Sequence, residues 1–163
     1  MQTLDRLADI LHFGNHSLVV EDARGTVHVF DSRGVADLYA LLHSQPELLK
    51  GANVADKVIG KGAAALMCLG GVERVYTDVL SRQALALFAG SGVEDVVYDH
   101  LVPGIINRAG TGLCPVETLC LPCTTPSECL PPDTRIPFAS TAGTPCGAGN
   151  KMIISQIMTS YNL

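Results

Sequence analysis

Lysine and arginine are scarce in this 163-residue chain: eleven of them, scattered, stand against sixteen acids, for a formal charge of −5. That balance excludes a nucleic-acid partner gripped through its phosphates, because such a grip needs basic residues in clusters. No apolar run approaches the roughly 18 residues of a membrane span, which excludes a membrane partner as well. The opening MQTLDRLADIL sets an acid on each side of its only arginine and lacks a basic stretch ahead of a long apolar one. It does not read as a secretory signal, and a cytoplasmic location is expected. A His-x-Glu triplet is missing from the whole chain, and no internal repeat is visible.

What is there is mostly apolar. Hydrophobic residues make up 47% of the sequence and charged residues only 17%. A chain of this length folds as one domain that buries roughly two thirds of its unfolded surface, so its core needs no disulfides. Of the six cysteines, four fall between 114 and 129 and no export signal precedes them, so reduced thiols are expected.

Periodicity divides the chain into elements. Leu4, Leu7, Ala8, Ile10 and Leu11 follow helical spacing, predicting a helix over 3–13 that stops at Gly14 in a left-handed conformation. HSLVVED and TVHVFDS, joined by Ala23, Arg24 and Gly25, read as a β-hairpin, and Val35 to Leu42 as a helix closed by Pro46. NVADKVIGKGAAALMCLGG reads as one long helix, capped by Asn53 with Asp56 at its third position and ended by Gly70 and Gly71. Ala55, Val58, Ile59, Gly62, Leu66 and Leu69 form its apolar stripe, and Lys57 and Lys61 share another face. ERVYTDVL then reads as a strand, SRQALALFAGSG as a helix capped by Ser81, and VEDVVYDHLV as a strand, which implies a right-handed crossover and a parallel pair. A glycine-bearing loop over 103–113 leads to a helix begun by Cys114. Residues 1–130 form the folded α/β domain; 131–163 is a Pro/Gly/Thr-rich extension, expected to be partly mobile, with KMIISQIM fit for a strand or a helix.

Chemistry concentrates in NRAGTGLCPVETLCLPC. Cys114 stands at a helix cap, Pro115 at the first helical position and Glu117 at the third, where the helix dipole favours thiolate and carboxylate. Cys114 is a candidate nucleophile, or only a capping thiol. Gly110, Thr111 and Gly112 offer backbone N–H groups to a phosphate or carboxylate, or serve turn geometry alone. Lys57 and Lys61, four residues apart, could clamp an anion or simply be solvated. His100 is a weaker candidate for a base toward Cys114. Cys114, Cys120, Cys123 and Cys129 supply four thiols for zinc or an iron–sulfur cluster, but as C-x5-C-x2-C-x5-C they hold only one close pair, and no metal is assigned.

VADKVIGKGAAALMCLGGVERVYTDVLS with YDHLVPGIINRAGTGLCPVE resembles the short prokaryotic proteins grouped as domain of unknown function family eighteen ninety-three, over about residues 15 to 120. Its motifs are DKV-x-GK and GTG-x-CP-x-E; Ala109 stands where an acid often precedes the second. The resemblance implies a cytidine deaminase-like fold, a three-layer α/β/α sandwich with a mixed sheet. It also implies a pocket where helix N-termini converge, lined by Asp56, Lys57, Lys61, Cys114 and Glu117, with Asn107, Arg108, Gly110, Thr111 and Gly112 from the loop. Deaminases hold zinc through a His or Cys with a Glu two residues on and a P-C-x-x-C; with neither in place, a zinc-free protein binding a small anionic or nucleotide-like ligand is expected. Cys114, Lys61 and Glu117 are its candidate catalytic residues. A non-catalytic metabolite-binding or regulatory module is the alternative; cofactor and oligomeric state, including a homo-oligomer, stay open.

Overall fold

The structure, a computed structural model, describes residues 2–32 and 35–130. The extension expected over 131–163, with KMIISQIM, lies outside them. The elements are α1 (Gln2–Phe13), β1 (Leu18–Glu21), β2 (Val27–Phe30), α2 (Ala36–Ser44), β3 (Asn53–Ile59), α3 (Lys61–Gly70), β4 (Arg74–Ser81), α4 (Arg82–Ala89), β5 (Asp95–Val102) and α5 (Pro115–Cys120), with short 3-10 turns at Pro46–Leu48 and Pro126–Cys129. The five strands form one mixed sheet in the order β2-β1-β3-β4-β5. β1 runs antiparallel to both β2 and β3, whereas β3, β4 and β5 are mutually parallel.

Local chemistry explains most of these elements. In α1 the buried Leu4, Leu7, Ala8 and Leu11 recur at helical spacing. The left-handed residue that ends it is Asn15, with φ 53°, rather than Gly14, whose bare Cα makes room for the His16 ring. The hairpin turn is built by Asp22, whose Oδ1 accepts from the amides of Arg24 and Thr26 at 2.9 and 3.0 Å while Gly25 takes φ 82°. Ser81 caps α4, its hydroxyl accepting from the Ala84 amide at 3.1 Å.

One expectation is corrected. The long helix from Asn53 does not form: 53–59 is the central strand β3, hydrogen-bonded to β1 on one side and β4 on the other, and the helix begins only at Lys61 after an extended Gly60. A strand buried on both faces reads as a continuous apolar run, and Val54, Val58 and Ile59 favour the pleated conformation. Asn53 and Asp56 therefore cap nothing. At its other end α3 closes as expected, with Gly71 left-handed at φ 77°.

The sheet separates two cores. Leu4, Leu7, Ala8 and Leu11 of α1 pack on Val19, Ala55 and Tyr76 on one face. On the other, α2, α3 and α4 share a larger core with Val20, Val54, Val75 and Leu80, and Cys120, Cys129 and Leu130 join it from the chain's return past α3. Among the described residues no helix is long and apolar enough to cross a membrane.

Candidate functional site at the start of α3

The carboxyl ends of β3 and β4 feed directly into the first turns of α3 and α4, which places two sets of free backbone amides at the same edge of the sheet. At α3 these amides meet α5. The Glu117 carboxylate crosses to the Lys61 amide, Oε2 accepting at 2.6 Å. Glu117 stands at the third position of its own helix, as read from the sequence, yet it caps a different one. This approach needs glycine: a Cβ on Gly60 would lie 2.4 Å from Glu117 Oε2, and one on Gly62 would lie 2.2 Å from Val116 Cγ1. The GKG and CP-x-E segments thus form a single contact.

Lys61 is held at its backbone amide and at its ammonium. Its residue is only 6% exposed, and its ammonium donates to the carbonyl oxygens of Leu121 at 3.1 Å and Cys123 at 2.5 Å. Cationic donors suit the carbonyl end of a helix, where α5 runs out. The ammonium therefore binds at the far end of α5 from Cys114, which precedes its first turn. Cys114 does occupy the cap position with Pro115 at N1, but its side chain makes no capping bond; its amide donates to Ile105 O at 2.7 Å.

The other oxygen of Glu117 stands alone. Glu117 is 2% exposed, and its Oε1 has no hydrogen-bond partner among the described residues. A buried acceptor without a donor costs roughly 1–3 kcal/mol, so this atom is an open valence of the fold.

Asp56 and Lys57 belong to β3 rather than to a helix face shared with Lys61. The Lys57 ammonium donates to Asn15 Oδ1 at 2.6 Å, beside the end of α1. Asp56 is 8% exposed, and its Oδ1 accepts from the Val58 amide at 3.1 Å. Burial pushes its carboxyl up to about 7, and the neighbouring charges of Asp78 and Asp37 push the same way. A carboxyl poised there holds or releases a proton near neutrality. Sequence reading missed a polar group on the α1 face: the Tyr76 hydroxyl lies within hydrogen-bonding distance of the Asp78 and Asp99 carboxylates, at 3.0 and 2.9 Å, and His12 pairs with Asp78 at 2.8 Å. Tyr76 and Asp78 alternate along one strand, which is the only signal that could have joined them.

The loop before α5 spends its amides internally. Asn107 Oδ1 accepts from Thr111 N at 3.1 Å, Asn107 O from Gly110 N at 3.0 Å, and Gly112 O from Asn107 N at 2.8 Å. Of the expected anion cradle, the Gly110 and Thr111 donors are thereby occupied, and Arg108 stays exposed. His100 lies on an exposed stretch of β5.

Neither the zinc chemistry of deaminases nor the thiolate-metal alternative fits the residues present. Gly60, Lys61 and Gly62 open α3, and Ser81, Arg82 and Gln83 open α4, so neither helix start carries a His, Cys or Glu of its own, and the Glu117 carboxylate that reaches α3 is engaged by the Lys61 amide. Among the described residues no group of three or more His, Cys, Asp or Glu is arranged to hold a metal ion.

This is an α/β protein with a mixed five-stranded sheet, whose two sequence motifs are clasped at one helix start. The family described as "Domain of unknown function (DUF1893)" matches residues 6–131, and the chain belongs to it. Among solved structures it is similar to the crystal structure of a DUF1893 family protein from Thermotoga maritima, with a TM-score of 0.69 and 27% identity over 79% of this chain and 86% of that one. No curated protein matches.

Proposed function

We propose that this protein is a zinc-free, deaminase-like module that binds a small nucleotide-like molecule at the start of α3. The single observation carrying this reading is the buried, unpartnered Glu117 Oε1. An anion cannot be what completes it, since Glu117 already places its own carboxylate at the helix start. The missing partner is a hydrogen-bond donor, such as the amino or ring N–H edge of a nucleobase. Ile105, whose Cγ1 would lie 3.0 Å from a Cβ on Gly60, packs at the same helix start, and in this reading the ligand enters as the 103–113 loop lifts. Arg108 in that loop then meets the ligand's phosphate, and Asp56 supplies a carboxyl able to give or take a proton at the same edge of the sheet.

Binding is favoured over catalysis because the Lys61 ammonium, the group expected to activate Cys114, is bound to the Leu121 and Cys123 carbonyls. In the catalytic version Cys114 is the nucleophile and Glu117 the proton carrier. Alkylation at neutral pH separates the two: labelling faster than an ordinary exposed thiol, lost in Cys114→Ser, supports catalysis, and ordinary labelling removes it. Binding itself is tested by native mass spectrometry of protein purified without added ligand, followed by calorimetry with cytidine, adenosine and their monophosphates. The expected result is a bound species or a heat of binding that vanishes in Glu117→Gln while circular dichroism is unchanged. An empty protein that gives no heat with all four sinks the proposal.

A further inference from the structure

The outer strand β5 is covered on one side only. There α4 packs against it, whereas on the opposite side α1 packs on β1, β3 and β4 and leaves β5 open to solvent. Val97 stands opposite Tyr76, a member of the α1 core, so it faces the α1 side, yet it is 42% exposed. Phe13 at the end of α1 is exposed, and so is Leu101 farther along β5. This open face is also acidic. Tyr76 has one hydroxyl proton for two carboxylates, Asp78 and Asp99, and satisfies one at a time. His12 pairs with Asp78, but Asp99 has no ion pair among the described residues.

The sequence beyond Leu130 carries a complement to this face. Ile154, Ile157, Met158 and Tyr161 recur at the spacing of one helical stripe, with Ser155, Gln156 and Thr159 on the other side. Asn150 stands in position to cap such a helix, and Lys151 lies at the flank of its stripe, one turn before Ile154. The connection is long enough. Leu130 lies in the larger core, on the other face of the sheet from α1. Residues 131–150 extend to roughly 66 Å, and half the circumference of a domain this size is about 57 Å.

We propose that residues 151–161 of this same chain dock as an amphipathic helix beside α1, laying the Ile154, Ile157, Met158 and Tyr161 stripe on the β5 face around Val97 and Phe13 and bringing Lys151 toward Asp78 and Asp99. The helix gives β5 the cover that α1 gives its neighbours, and the lysine supplies the positive charge that Asp99 lacks. A second copy of the protein competes poorly for the same face, because the tether holds the segment at roughly millimolar effective concentration.

The test is hydrogen exchange, read by mass spectrometry on the full chain at a low and a high protein concentration. The amides of 151–161 are expected to exchange roughly tenfold or more slower than those of an unstructured peptide, equally at both concentrations. Val97→Asp removes that protection. Ile157→Asp, outside the folded core, removes it too and speeds exchange across Asp95–Val102 while α3 is unchanged; this variant decides if Val97→Asp does not fold. Free exchange of the segment in the unmutated chain, or protection that survives either substitution, overturns the proposal. Protection that appears only at high concentration, with a doubled mass in light scattering, gives the face to a second copy and overturns it as well.

Discussion

The two faces of the sheet handle polar groups in opposite ways. Under α1 each charged contact keeps one partner at the rim: the half-exposed Arg6 pairs with the buried Glu21, and His12 with Asp78, so water reaches at least one partner of each. Beneath α3 the charged groups lie inside: Lys61 and Glu117 are almost wholly buried and bond chiefly to backbone rather than to each other. Rim pairs are replaceable at small cost, whereas buried groups bound to backbone fix where two chain segments sit. The difference marks the α3 face as the place where this fold committed polar atoms at a cost in stability.

The sharpest break of that contrast is Lys61→Ala, which strips the Leu121 and Cys123 carbonyls of their donor and should lower stability by about 3 kcal/mol. A urea midpoint measurement checks it, and a loss below about 1 kcal/mol would put Lys61 on a par with the rim. Next is the pH dependence of Asp56. Its folded value of about 7 exceeds its ordinary 3.8, so the folded state binds the proton more tightly than the unfolded chain does between those values. Stability from this group is therefore present below about pH 4 and is lost as pH rises through 7, by about 3 kcal/mol between pH 5 and pH 8. Asp56→Asn should flatten that slope in urea titrations at the two pH values. Gly62→Ala should cost about 2 kcal/mol, because the branched Val116 cannot step aside, and the further change Val116→Ala should recover most of it. The smallest effect belongs to the other face: Arg6→Ala should shift stability by less than about 1 kcal/mol, and a larger loss, insensitive to salt, would erase the distinction.

Elements whose cause is local were legible in the sequence. The Ala23–Gly25 turn, the α1 stripe and the Ser81 cap depend on residues within a few positions of one another, and the structure has all three. β3 was hidden because its neighbours, β1 and β4, come from elsewhere in the chain, while Ala55, Val58, Ile59 and Gly62 fall by coincidence at helical spacing. That one misreading also placed Lys57 beside Lys61. At the site, Cys114 and Glu117 were correctly positioned along their helix, but the helix that Glu117 caps lies 56 residues away in sequence. Gly60 and Gly62 carried the clue. Two glycines bracketing a lysine at a helix start mark a spot where something else comes close.

That bracket has a consequence for recombination. Because the bare backbone of Gly60 and Gly62 is fitted to Glu117 and Val116, the halves of this domain are not interchangeable parts: a chimera that crosses over within β4 takes the glycines from one parent and the acid and valine from the other. Grafts between relatives should tolerate exchanged surfaces along the hairpin, yet fail wherever the glycines arrive without their acid.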